Sequence, residues 1–114
     1  MNPQIHFLTG FNAMQEIVHQ TAVDHGFYED GGATNDAERI ALMHSELSEA
    51  LEALRHGSPM DEKCPMYTNL EVELADCIIR VMDYAQFKGL NVAGAIIAKN
   101  AYNMGRPHKH GKKF

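Results

Sequence analysis

The stretch Leu42-Met43-His44-Ser45-Glu46-Leu47-Ser48-Glu49-Ala50-Leu51-Glu52-Ala53-Leu54-Arg55 decides the fold class. Wound at roughly 100° per residue, Met43, Leu47, Ala50, Leu51 and Leu54 join Ile40 just upstream in one apolar stripe, widened by Leu42 and Ala53. Glu46 falls inside the widened arc, Glu49 lies at its edge beside Leu42, and Glu52 faces the opposite, solvent side. The pattern predicts a helix from about Asn35 to His56. Thr34 or Asn35 is its N-cap, Asp36 and Glu38 sit in its first turn, and Gly57-Ser58-Pro59 stops it.

The segment Glu71-Val72-Glu73-Leu74-Ala75-Asp76-Cys77-Ile78-Ile79-Arg80 repeats the arrangement. It belongs to a helix expected from about Tyr67 to Lys88, capped by Thr68 or Asn69 and closed by Gly89. Apolar residues occupy most of its circumference, which predicts a helix enclosed by protein. Glu73 and Asp76 nevertheless stand together on one side, with Asp83 two turns on from Asp76.

Two further helices complete the chain. Phe11, Met14, Ile17, Val18 and Ala22 recur at helical spacing between about Gly10 and His25, and Gly26 with Asp30-Gly31-Gly32 makes the following loop. Asn91 caps a last helix running to about Met104, ended by Gly105 and Pro107. No segment alternates with period two, so no strand is expected. The reading is all-α: a four-helix bundle forming a single domain over residues 1–114. A core of this size is small, and burial against a second chain would enlarge it.

The acids carry the chemistry. A carboxylate withdrawn from water costs several kcal/mol unless paired or bound to a cation. Residues at i and i+3 are neighbours on a helix. A facing Glu46/Glu49 pair and Glu73/Asp76 pair therefore describe a hard-cation site for Mg²⁺ or Mn²⁺. No Cys/His cluster at zinc spacing competes with it. Arg80, four residues after Asp76, can pair with that acid but cannot neutralise the other three as well. On the last helix Lys99, Asn103 and Arg106 share a narrow arc over Val92 and Ile96, where two cations and an amide suit phosphate oxygens. A di-iron carboxylate bundle needs two E-x-x-H pairs, and this chain offers only Glu16 with His19.

The two acidic segments resemble those of the MazG-like, all-α nucleoside triphosphate pyrophosphohydrolases: E-x-x-E, a spacer from Ala50 to Val72, then E-x-x-D. Lys99-Asn100-Ala101-Tyr102-Asn103-Met104-Gly105-Arg106-Pro107 resembles the family's C-terminal phosphate-binding segment, and His108 to Phe114 resembles tails of its small members. The resemblance implies that Glu46, Glu49, Glu73 and Asp76 hold Mg²⁺, with Mn²⁺ as substitute. Glu46 or Glu49 would act on the attacking water, and Lys99, Asn103 and Arg106 would bind the triphosphate. It implies hydrolysis of (deoxy)nucleoside triphosphates between the α- and β-phosphates, giving a nucleoside monophosphate and pyrophosphate. It places base-contacting aromatic groups on the first helix and the loop after it, where Phe11, His19, Phe27 and Tyr28 stand, with Tyr102 as a further possibility. A homodimer or homotetramer is expected. Related activities are dCTP- or dUTP-directed or phosphoribosyl-ATP pyrophosphohydrolysis, and the contrasting reading is a non-catalytic helical metal-binding or interaction module.

Charge and composition narrow the partners. A net charge of −5 argues against a nucleic-acid polymer as ligand. The basic residues Arg106, Lys109, Lys112 and Lys113, with His108 and His110, gather near the end and suit a discrete anion. With no secretory leader, no run of about 18 apolar residues and two cysteines, Cys64 and Cys77, the expectation is a cytoplasmic protein with free thiols and no membrane association.

Overall fold

The computed structural model describes residues 2–32 and 35–114. Four helices follow one another: α1 (Pro3–Asp24), α2 (Asp36–Arg55), α3 (Asn69–Lys88) and α4 (Val92–Met104), with a 3₁₀ turn at His108–Gly111. Among the described residues there is no strand, only an isolated antiparallel bridge between Met60 and Thr68. No helix is long and apolar enough to cross a membrane.

Side chains fix the helix starts. Asn35 accepts the amide of Glu38 at 2.8 Å, as expected of one of the two N-cap candidates; Thr34, the other, lies outside the described residues. At α3, Thr68 and Glu71 form a reciprocal capping box. Gly89 ends α3 at φ 71°, and the Leu90 amide reaches back to the Ala85 carbonyl at 2.8 Å. The first helix is longer than expected. It starts at Pro3 instead of near Gly10, because Asn2 caps it through the Gln4 amide (2.8 Å) and Pro3 occupies its first turn. Gly10 is simply carried in its middle.

The loop between α2 and α3 is organised around Asp61. Its carboxylate accepts the amides of Lys63 (2.9 Å) and Cys64 (2.8 Å) and the Asn69 side-chain amide (3.0 Å). The Cys64 amide, first, and then the other donors hold that carboxyl below its usual range. This closed loop sets where α3 begins relative to the end of α2. Cys64 is exposed, Cys77 half-buried, and both thiols are free.

α3 is the central element, packed on α2 and on α1, while α4 lies on α1. The packing is open. The radius of gyration is 16.5 Å, against about 13 Å for a compact globule of this length. Among the described residues the buried hydrophobic ones are Val18, Ala50, Met82, Ala85 and Ala93, and no large side chain there is completely enclosed. The expected enclosure of α3 is therefore not met within one chain: Ile78 is 52% exposed, and Leu47, Leu51 and Leu54 on α2 are similarly open. The helices are amphipathic as the periodicity requires, but three or four of them cannot cover every apolar face.

Candidate metal centre

Helix α2 presents Glu46 and Glu49 from successive turns, and α3 presents Glu73 against them. One carboxylate oxygen from each lies within 4.8 Å of the other two. Glu46 is buried, Glu73 half-buried and Glu49 exposed, so the cluster opens to solvent on one side. Asp76, the fourth expected acid, is outside this tight set. It stands next to Glu46 on the wall of a neighbouring cavity, close enough that the charge of Glu46 raises its pKa, after burial as the larger cause.

The cluster is electrostatically unfinished. One oxygen of Glu46, Oε1, receives Arg80 Nε at 2.9 Å. The other, Oε2, is buried with no hydrogen-bond partner, and so is Glu73 Oε2. Burial, and then Glu49, push Glu73 from 4.5 up to about 7. Three carboxylates at this spacing cannot all remain ionised without a cation among them. Hard oxygen donors, two of them orphaned, fit a Mg²⁺- or Mn²⁺-sized ion. Arg80 forms its close ion pair with Glu46, while its charge also acts on Asp76, the partner its i+4 spacing favours, and opposes the rise in that acid's pKa.

Two cavities flank the acids. The larger, about 510 Å³, has Glu46, Asp76 and Arg80 at one side, Arg39, Asp83 and Tyr84 at the other, and apolar walls that include Val18, Leu42 and Ile79. The smaller, about 390 Å³, is lined by Glu49, Glu52 and Glu73 with His56 and Asn69. The acid cluster thus forms a partition, with Glu46 and Asp76 facing one space and Glu49 and Glu73 the other.

A second polar group lies beyond the first cavity. Asp83 accepts His19 Nδ1 and the Tyr28 hydroxyl, each at 2.8 Å. Arg39 donates to the same hydroxyl at 2.8 Å and stacks over the rings of Tyr28 and Phe87 at 4.8 and 5.0 Å. Burial, and then Asp83, push the Tyr28 phenol up to about 12, so it stays a donor. This network ties α1, the following loop, α2 and α3 together. Gly32, at φ 78°, stands against the tip of the Phe87 ring, where a Cβ would collide with it.

The expected base-contacting residues therefore separate. Phe27 lines the larger cavity. His19 and Tyr28 are engaged with Asp83 as framework. Phe11 packs on Phe7, with ring centroids 5.4 Å apart, and lines neither cavity. Asp83 stands out in the sequence only as an acid on an apolar helix, and Arg39 not at all; what they organise at this end depends on contacts between helices.

The expected phosphate residues are mutually close but belong to another face. Lys99 Nζ and the Arg106 guanidinium both approach the Tyr102 ring, at 4.7 and 5.6 Å. Asn103 Oδ1 is buried without a partner. Their helix packs on α1, and none of the three lines either cavity of its own chain. Compared with family models, with curated proteins and with solved structures, the chain matches none.

Proposed function

We propose that the chain is a Mg²⁺-dependent nucleoside triphosphate pyrophosphohydrolase of the MazG-like, all-α type. The observation that carries this reading is the trio Glu46, Glu49 and Glu73 within 4.8 Å, with two buried oxygens lacking partners, beside a cavity that also contains Arg39 and Arg80. Acids alone would suit a cation store. Acids next to arginines and an apolar-walled space suit a ligand with both a polyanionic and an apolar part.

In this reading Glu46, Glu49 and Glu73 hold the ion, and Asp76 orients its shell from beside Glu46. The ion neutralises phosphate charge and lowers the pKa of a bound water. Glu49, the most open of the three, or Glu46 accepts the water's proton. The apolar walls exclude bulk water from the nucleoside side. Lys99, Asn103 and Arg106 complete the grip on the triphosphate. They line neither of the two cavities beside the acids, so this role calls for a second copy that brings its α4 to the acids. The exposed apolar faces of α2 and α3 are where such a copy gains burial, giving a homodimer or homotetramer. A cytoplasmic nucleotide-cleaning role follows from the reading.

The test is pyrophosphate release across all (d)NTPs, with phosphoribosyl-ATP included, in Mg²⁺, Mn²⁺ and EDTA. Hydrolysis that needs the divalent ion is the expected result, and the panel separates a general enzyme from a dCTP-, dUTP- or phosphoribosyl-ATP-directed one. No release from any nucleotide, or release undiminished in EDTA, refutes it.

A further inference from the structure

Arg80 makes one side-chain hydrogen bond among the described residues, from Nε to Glu46 Oε1 at 2.9 Å. Its two terminal nitrogens donate to nothing there. The two partners are unequal: the Glu46 side chain is 10% exposed and that of Arg80 41%. Glu46 is the enclosed partner and Arg80 the open one. Arg80 also lines the larger cavity together with Glu46 and Asp76.

We propose that Arg80 is a phosphate ligand that stands on Glu46 as a stand-in cation and is handed to the substrate when a divalent ion takes its place. The inference rests on the cation reading of the acid cluster. Its chemistry is one of exchange. An ion at the orphaned Glu46 Oε2 shares one carboxylate charge with the guanidinium on Oε1 and repels it, so ion and guanidinium compete for Glu46. Displaced, the guanidinium remains on the cavity wall beside the ion. Its planar fork matches two oxygens of one phosphate, which a point-charge ammonium does not. The ion and the guanidinium then neutralise the same polyanion from two sides. Without ion, Arg80 keeps the buried Glu46 charge compensated, so the empty cluster stays folded.

Direct titration of EDTA-stripped protein with Mn²⁺, followed by inorganic pyrophosphate in the same Mn²⁺ buffer, tests this. Wild type, Arg80→Gln, Arg80→Lys and Glu49→Gln are compared by calorimetry. Arg80→Gln removes the competitor and is expected to bind Mn²⁺ roughly fivefold more tightly, the size for a half-exposed ion pair. It is expected to bind pyrophosphate at least about tenfold more weakly, as loss of charge-assisted bonds implies. Arg80→Lys keeps the competing charge and is expected to bind Mn²⁺ like wild type while losing pyrophosphate affinity. It carries the test should the glutamine variant not fold. Mn²⁺ affinity unchanged or lowered in Arg80→Gln, or pyrophosphate affinity undiminished in both variants, overturns the role of Arg80. Wild type that binds no more Mn²⁺ than Glu49→Gln overturns the cation reading itself.

Discussion

Replacing Glu73 by glutamine is expected to stabilise the protein when no divalent ion is present and to remove its response to one. Glu73 is pushed from 4.5 to about 7, by burial first and then by Glu49. A carboxyl whose pKa is raised on folding binds more protons folded than unfolded between those two values. Stability is therefore complete below about pH 4.5 and falls as pH rises toward 7. For a fully enclosed group the loss would be about 3 kcal/mol, at about 1.4 kcal/mol per pH unit. Glu73 is only half-buried, and solvent screening brings this to about 1–2 kcal/mol. Glutamine keeps the shape and discards the charge. In EDTA at pH 8 the melting temperature should rise by about 3–8 °C, and at pH 4 the two proteins should melt together. Saturating Mg²⁺ should raise wild type by an amount that grows with ion concentration, about 2.7 kcal/mol at a hundredfold excess over Kd, and leave the variant nearly still. Melting followed by circular dichroism at fixed protein concentration reads all four conditions. A Glu73→Gln protein less stable than wild type in EDTA at pH 8, or an advantage that persists undiminished at pH 4, would show that the three carboxylates do not repel one another.

Alanine at Glu46, Glu49, Glu73 or Asp76 should each lower pyrophosphate release by about a hundredfold or more, with helix content retained in the far-ultraviolet spectrum; full activity in any two of them would defeat the assignment. Gly32→Ala should lower the melting temperature, by about 2 kcal/mol in stability, since the new methyl meets the Phe87 ring at a left-handed backbone position; thermal melting without loss would show that the loop over Phe87 is not fixed.

What the sequence made legible was what a single helix determines. Glu46 and Glu49, or Glu73 and Asp76, share a face because of helical geometry, and their misfit with the apolar surroundings is visible from composition alone. The caps at Asn35 and Thr68 were legible for the same local reason. The start of α1 is equally local, set by Asn2 and Pro3 upstream of the apolar spacing that begins at Phe11. What depends on the packing of one helix against another was not legible. That Asp76 would sit one step outside the tight trio, that Arg80 would cross to Glu46, and that Asp83 would gather His19, Tyr28 and Arg39 all turn on the axial offset between helices, which no spacing within one helix encodes.

The same distinction bears on the phosphate residues. Of Lys99, Asn103 and Arg106, the two cations stand on the Tyr102 ring. Their relation to the acids is the two-helix part, and α4 packs on α1, leaving all three outside the linings of both cavities. Asn103 Oδ1, buried and unpartnered on that helix, belongs with Glu46 Oε2 and Glu73 Oε2 as a polar atom whose partner is still to come. An orphaned acceptor on α4 calls for a donor, whereas the orphaned acceptors of the acid cluster suit a cation or a proton. The two groups thus ask for different things, and a nucleotide bound with its ion supplies only the second directly. Under the proposed function the first falls to a donor on a neighbouring chain or to a ribose hydroxyl, so that α4 is where assembly and substrate recognition are expected to meet.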